Sequence, residues 1–190
     1  MLHILLYVLQ VILFIVFFAT IILFILWSIG NFQNKVPFVT SPNSVSKDIA
    51  KALEVNDQSV VYDLGCGDGR ILFYLASLNP KAKYIGIENC ALPILLSRIR
   101  LFFNKKKLGG CVEIVNKDFF KQDLSNATHI FTYLYPNVLD ELLPKFEKEL
   151  KPGTKLVSLS FSFASKRPIS EIDLGRKKYK LGRKLFVYQF

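Results

Sequence analysis

A glycine-rich loop between an apolar strand-like run and a helix-like run constrains the fold of this chain more than any other feature. The sequence reads VVYDLGCGDGR from Val60 to Arg70. Glycines let a backbone turn sharply and approach a ligand closely, and the following helix turns its N-terminal amides towards that ligand. The loop therefore predicts an α/β domain that binds a small molecule where a strand passes into a helix.

Short apolar runs and helical runs alternate on both sides of this loop. The runs that predict strands lie at 59–64, 83–88, 112–116, 128–134 and 155–163, and those that predict helices lie at 46–54, 70–78, 92–107 and 138–150. Such alternation predicts a Rossmann-like, doubly wound and mostly parallel sheet with helices on both faces. Two last runs, 169–174 and 185–190, predict a C-terminal antiparallel hairpin.

The spacing and the charge of the loop favour one class of ligand. Gly65, Gly67 and Gly69 have the spacing GxGxG, and Asp63 and Asp68 frame them. A dinucleotide-binding loop has the spacing GxGxxG and holds an anionic pyrophosphate, which two carboxylates would repel. A methionyl group with an ammonium and a sulfonium is cationic and suits these carboxylates. The loop thus favours S-adenosylmethionine, and a purely structural turn is the alternative.

Acidic residues also end the next two strands. Glu88 lies 19 positions after Gly69, and Asn89 lies beside it. In nucleotide-binding Rossmann folds, an acidic residue at this place accepts hydrogen bonds from the ribose hydroxyls. Asp118 and Phe119 follow the third strand. We expect the Asp118 carboxylate to accept a hydrogen bond from the adenine amino group, while the ring of Phe119 covers the base. A turn or helix-capping aspartate is the alternative for Asp118.

The segments DLGCGDGR, IGIE and NKDFF resemble the motifs of the class I, seven-strand methyltransferases. More narrowly, residues 36–163 resemble the small protein-lysine methyltransferases of archaea and, with a membrane anchor, of mitochondria. The narrower resemblance rests on PFVTSP (37–42), DGRI (68–71), YLYPNV (133–138), ELKPGTKLVS (149–158) and SFSF (160–163). This family usually has a proline where the chain has Thr40. The resemblance implies S-adenosylmethionine as methyl donor and a lysine side chain as acceptor.

Aromatic and polar residues near the ends of the fourth and fifth strands are candidates for the acceptor site. Tyr135 and Asn137 follow the fourth strand, at the edge where open α/β sheets bind ligands, and we expect them to position the acceptor. Phe38, Phe161 and Phe163 could line an apolar channel in which desolvation keeps a lysine neutral. Core packing is the alternative for each of them. No cluster of His, Cys or Asp indicates a metal ion.

The first 34 residues contain no Lys, Arg, Asp or Glu. As a helix, the 26 positions from Ile4 to Ile29 would span roughly 39 Å, more than the ~30 Å hydrocarbon layer. We therefore predict a transmembrane helix over 1–30, with 4–29 in the lipid bilayer, a linker over 31–46 that leads to the cofactor, and a catalytic domain over 47–190. A cleaved signal peptide and a hydrophobic helix packed on another subunit are the alternatives for the first segment. Basic residues follow the span, so the positive-inside rule predicts a single-pass protein with its domain on the cytoplasmic side.

The formal charge of +10 lies entirely outside this span. Basic runs at 105–107 and 176–184 are typical of solvated surfaces, and contact with anionic lipid is the alternative. The favoured function is methylation of a protein lysine. The alternatives are methylation of a membrane lipid or quinone, methylation of RNA, although no RNA-binding module is added, and a non-catalytic nucleoside-binding scaffold.

Overall fold

The computed structural model describes residues 1–33, 41–108, 110–175 and 181–190. It divides the chain into two units, Met1–Pro37 and Phe38–Phe190, with the boundary inside the predicted linker. The first unit contains one helix, α1 (Leu2–Gln33). Within it, His3–Ile25 is long and apolar enough to cross a membrane, with a mean hydropathy of 3.1 and no buried part.

The second unit contains a seven-stranded sheet. Its elements, in chain order after a short 3-10 turn at Asn43–Val45, are α2 (Ser46–Leu53), β1 (Val60–Leu64), α3 (Arg70–Leu78), β2 (Lys83–Glu88), α4 (Ala91–Leu108), β3 (Val112–Asn116), β4 (His129–Thr132), α5 (Pro136–Glu149), β5 (Lys155–Leu159), β6 (Ser170–Asp173) and β7 (Lys184–Gln189). The strand order is β3-β2-β1-β4-β5-β7-β6.

The first five strands are parallel, whereas β7 runs antiparallel to both β5 and β6. This confirms the predicted doubly wound, mostly parallel sheet with a C-terminal antiparallel pair. The fifth strand ends at Leu159 rather than at Phe163, because Ser160 adopts a left-handed backbone with φ of 69°. The fourth strand likewise ends at Thr132, two residues before the predicted end.

Alternation of side chains along the strands divides the core between the two faces of the sheet. One face packs against α2, α3 and α4, and its buried cluster includes Val61, Phe131 and Val187. Tyr188 follows Val187 and therefore points to the opposite face. There it contacts Phe163, which in turn contacts Phe146 of α5. Both faces are thus covered by helices, as in a doubly wound fold.

The packing of α3 on β2 brings the glycine loop close to the sheet. Gly86 in β2 has no side chain, and a Cβ there would lie 2.5 Å from Leu72 Cδ1 and 2.7 Å from Cys66 Sγ. Such distances are too short for any residue larger than glycine without a shift of its neighbours. The strand therefore lets both α3 and the loop approach closely at this point.

Candidate functional site

The glycine loop between β1 and α3 depends on backbone conformations that favour glycine. Gly65, Gly67 and Gly69 have φ values of 75°, 57° and 74°. At Gly69 a Cβ would also lie 2.6 Å from the ring of Phe73. The N–H groups of Gly65 and Cys66 donate to the Ile87 carbonyl at 2.9 and 3.1 Å, which fixes the loop against the end of β2. The GxGxG spacing therefore corresponds to positions where a side chain would strain the backbone and, at Gly69, would also collide with a neighbour.

This loop forms one wall of a cleft at the C-terminal ends of the parallel strands. The cleft encloses about 310 Å³ of empty space, part of which is open to solvent. Its lining residues are Ser41, Asp63, Gly65, Cys66, Gly67, Asp68, Arg70, Ile71, Phe131 and Tyr133. Four of the predicted cofactor-binding residues, Asp63, Gly65, Gly67 and Asp68, thus meet in one place.

Asp63 is the acidic residue of this cleft whose charge no cation among the described residues balances. Its side chain is only 3% exposed, and within the described part of the chain its carboxylate accepts no hydrogen bond. Burial, followed by the charges of Glu88 and Asp68, raises the pKa of Asp63 well above its ordinary value. A buried carboxylate without a partner is destabilising, and a bound cation would relieve this cost.

Glu88, in contrast, is held by three backbone N–H groups. Oε2 accepts a hydrogen bond from Gly67 at 3.0 Å, and Oε1 accepts bonds from Asn89 and Cys90 at 2.9 Å each. The buried carboxylate therefore ties the glycine loop to the segment that enters α4. A carboxylate offers about four acceptor positions, so Glu88 keeps capacity for a ligand hydroxyl. Asn89 itself is exposed.

Asp68 lines the cleft, but two arginines balance its charge. Arg70 donates to it from Nε and from a terminal nitrogen, at 2.9–3.2 Å, and Arg100 of α4 donates at 3.0 Å. Burial alone would raise the pKa of Asp68, but the hydrogen bonds and charges of these arginines outweigh it and hold the pKa below its ordinary value. Arg70 also donates to the Ser41 carbonyl at 3.1 Å. Neither arginine was predicted as a site residue from the sequence, although Arg70 belongs to the DGRI motif.

Asp118 and Phe119 lie at the same edge of the sheet, next to Glu88. The Lys117 N–H donates to the Glu88 carbonyl at 3.1 Å, which places the start of this segment beside β2. Oδ1 of Asp118 accepts a hydrogen bond from the N–H of Phe120 at 2.9 Å. The turn interpretation of Asp118 therefore fits the structure, and this bond also fixes the direction of the carboxylate.

An aromatic cluster adjoins the cleft at the end of β4. The ring of Phe161 lies 5.0 Å from that of Tyr135 and 6.0 Å from that of Tyr133, between ring centroids. Tyr133 also lines the cleft, although it was not among the predicted site residues. The sequence offers one indication: Tyr133 lies two positions after Phe131, which lines the same cleft, and side chains two positions apart in an extended segment point the same way. Burial raises the pKa of the Tyr133 hydroxyl, although a hydrogen bond with Ser160 opposes this.

The structure does not bring every predicted acceptor-site residue to this cluster. Phe163 is 4% exposed and packs edge-to-face on Tyr188 at 4.8 Å, on the other face of the sheet, so the core-packing interpretation fits it. Asn137 is exposed in the first turn of α5. Phe38 and Thr40 lie outside the described residues. Among the described residues, no group of three or more His, Cys, Asp or Glu could hold a metal ion.

Comparison with known proteins gives this arrangement a family. A family model described as the ANTKMT methyltransferase domain matches residues 63–170, from Asp63 at the cleft to the start of β6. The chain belongs to this family. A protein-lysine N-methyltransferase of Saccharolobus islandicus is 40% identical over 136 residues, which cover 70% of this chain and 81% of the relative.

Two less similar proteins also match the chain. An adenine nucleotide translocase lysine N-methyltransferase of Mus musculus is 27% identical over 143 residues, 74% of this chain and 60% of the relative. Among solved structures, an RNA methyltransferase of Salinibacter ruber in complex with S-adenosyl-L-homocysteine superposes with a TM-score of 0.69 and 31% identity. The match covers 80% of this chain and 93% of that structure.

The family and the fold establish a class I methyltransferase that uses S-adenosylmethionine, as the sequence predicts. The residues of the cleft fit this cofactor. The buried carboxylate of Asp63, which no described cation balances, would suit a cationic methionyl group, and the loop glycines leave room for close approach of the backbone.

Proposed function

We propose that this methyltransferase transfers its methyl group to the ε-amine of a lysine in a protein. The observation that carries the proposal is the 40% identity to a protein-lysine N-methyltransferase over 136 residues. The matched family domain and a second relative described as a lysine N-methyltransferase support the same acceptor.

On the donor side, we assign each cleft residue a role from its contacts. The Asp63 carboxylate binds the ammonium of the methionyl group, because it is buried and accepts no hydrogen bond in the described part of the chain. Glu88 binds the ribose hydroxyls with the acceptor capacity that its three N–H partners leave. Asp118 and Phe119 contact the adenine, with Asn89 at the rim. Asp68 acts as a positioning residue, since its carboxylate is bound to Arg70 and Arg100.

On the acceptor side, the cluster of Tyr133, Tyr135 and Phe161 forms one wall of the channel through which the lysine side chain enters the cleft. S-adenosylmethionine, when bound, supplies an activated methyl group whose transfer depends on alignment of the reacting atoms more than on an acid or base. The amine must be neutral to react. The three aromatic rings exclude water, and desolvation lowers the pKa of an entering ammonium group, which releases its proton to solvent.

We also propose that α1 anchors the protein and leaves the catalytic domain on the cytoplasmic side. The helix contains no Lys, Arg, Asp or Glu, and Lys35 follows it. A protease added outside intact cells should leave the domain uncut, and one added to inverted membrane vesicles should digest it. The opposite pattern would contradict this orientation.

The acceptor can be tested with the full-length chain in lipid nanodiscs. We would incubate it with S-adenosylmethionine labelled in the methyl group, together with membranes and total RNA from cells that lack the gene. Acid hydrolysis of the protein fraction should release labelled N-methyllysine. A chain with Glu88→Ala is the inactive control. Label found only in the organic extract, as expected for a lipid or quinone acceptor, would overturn the proposal.

RNA is the second candidate acceptor. The superposed structure with 31% identity is described as an RNA methyltransferase, and the chain has a formal charge of +10. The family domain and the 40% identical relative favour protein over RNA. In the same experiment, label that ribonuclease removes completely would establish RNA as the acceptor and exclude lysine.

A further inference from the structure

Helix α4 has one buried face and one apolar exposed face. Ile94, Ser97 and Leu108 are buried, and Leu101 packs against the core, so the face that carries these residues meets α3 and β3. A helix on the surface of a domain normally turns polar residues to the other side. In α4 the other side is apolar.

We call this second side the outer face of α4. It consists of Leu95, Leu96, Ile99, Phe102 and Phe103. The two Leu and the Ile are 41–46% exposed, and the two Phe are 77 and 78% exposed. Their spacing of i, i+1, i+4, i+7 and i+8 places them on one side of the helix. Together they present on the order of 500 Å² of apolar surface, as much as the largest patch on a typical monomer.

We infer that the outer face of α4 lies in the surface of the lipid bilayer that α1 crosses, an inference that rests on the proposed membrane anchor. The first argument is charge. Residues 91–108 contain five basic residues and no acidic one, with Arg98 exposed beside the apolar side chains and three lysines at 105–107. An apolar stripe bordered by Lys and Arg is typical of helices that bind the interface of anionic membranes.

The same charges disfavour a second copy of the chain as the occupant. Two outer faces packed together would bring two sets of cations into proximity without acidic partners on the helix. Arg100, the second arginine of the helix, forms an ion pair with Asp68 of its own domain. Anionic lipid headgroups supply the missing negative charge, and the acyl region receives the phenylalanine rings.

The second argument is the length of the tether. Gln33, the last residue of α1, and Ser46, the first residue of α2, are thirteen positions apart. Even a fully extended chain of that length reaches at most about 47 Å. The domain therefore stays near the bilayer, where a weak surface contact is strengthened by its high effective concentration.

Photo-cross-linking of the full-length chain tests this inference without any methyl transfer. The photoreactive amino acid p-benzoylphenylalanine would replace Phe102 or Phe103, which are exposed and tolerate a larger ring. The protein would be placed in nanodiscs of phosphatidylglycerol and phosphatidylcholine. A chain with the same amino acid at Ile169 is the matched control, because Ile169 is apolar, 63% exposed and next to β6 at the opposite edge of the sheet.

We expect mass spectrometry to find lipid adducts at positions 102 and 103 at least ten times more often than at position 169. Cross-links to a second copy, cross-links to α1, or lipid adducts no more frequent than in the control would each overturn the inference. Because no acceptor is present, the result is independent of whether lysine is the substrate.

Discussion

The buried carboxylate of Asp63 allows a quantitative test of the cofactor site through Asp63→Asn, which keeps the side-chain size and removes its charge. In the wild-type protein, burial and the neighbouring charges of Glu88 and Asp68 raise the pKa of Asp63 well above its ordinary value. The folded protein therefore retains a proton that the unfolded chain releases above about pH 3.9. The Asn variant has no such proton in either state.

The sign and the size of the effect follow from proton linkage. Above the unfolded pKa the folded state binds one more proton than the unfolded state, so stability falls as the pH rises towards the folded pKa. The loss is about 1.4 kcal/mol for each pH unit. Relative to the variant, the wild-type free energy of unfolding should decline at this rate from about pH 4 until the pH reaches the raised pKa of folded Asp63. In a domain of this size that corresponds to roughly 3–6 °C in Tm per pH unit.

Thermal unfolding of the full-length chain in detergent, followed by circular dichroism between pH 4 and pH 8, measures this difference. The titrating groups that do not interact with Asp63 are common to both proteins and cancel in this difference, whereas Glu88 and Asp68 are coupled to Asp63. At a pH below the raised pKa of Asp63, S-adenosylmethionine should bind the wild type with release of a proton, which calorimetry in two buffers of different ionisation enthalpy detects, and it should not bind the variant. A constant stability difference across the pH range, or equal cofactor affinity in the two proteins, would refute the reasoning.

Three further substitutions separate donor binding, packing and acceptor binding. Glu88→Ala should abolish calorimetric binding of S-adenosylmethionine and lower the free energy of unfolding by about 1–3 kcal/mol, because three N–H groups lose their acceptor; retained affinity would contradict its role. Gly86→Ala should lower the free energy of unfolding by about 1–3 kcal/mol in denaturant titrations, because its Cβ would collide with Leu72 and Cys66; an unchanged midpoint would show that these neighbours can shift. Tyr135→Ala should leave cofactor affinity intact but reduce kcat/KM for the acceptor about tenfold, or about 1.4 kcal/mol, and equal kinetics would place the acceptor elsewhere.

Local patterns predicted the elements of the fold but not all of their ends. Each strand of the parallel part is a short apolar run bounded by turn residues, so its existence was readable from the sequence. The extension of the fifth strand to Phe163 was wrong, since Ser160 adopts a positive φ that is uncommon outside glycine and that the alternating pattern does not reveal. The insertion of β7 between β5 and β6 depends on contacts between distant segments and left no local trace.

The candidate site was predictable where topology alone brings residues together. Asp63 is the next-to-last residue of β1 and Glu88 is the last residue of the neighbouring parallel strand β2, so their proximity follows from the strand order. The pairing of Asp68 with Arg100 did not follow, because it joins positions 32 residues apart through the packing of α3 against α4. The role of Phe163 could not be predicted for a different reason. An aromatic residue near a strand end suits a channel wall and a core equally well, and the face of the sheet to which its side chain points distinguishes the two roles.

The place of β7 has a consequence for how the protein is made. Until Lys184–Gln189 has been synthesised, the edge of β5 has no partner, and an unpaired edge strand is a template for aggregation. Under the proposed anchoring, α1 has entered the bilayer long before that strand emerges. Each unfinished chain would then be held at the membrane, apart from other nascent chains in solution, until its own last strand closes the gap.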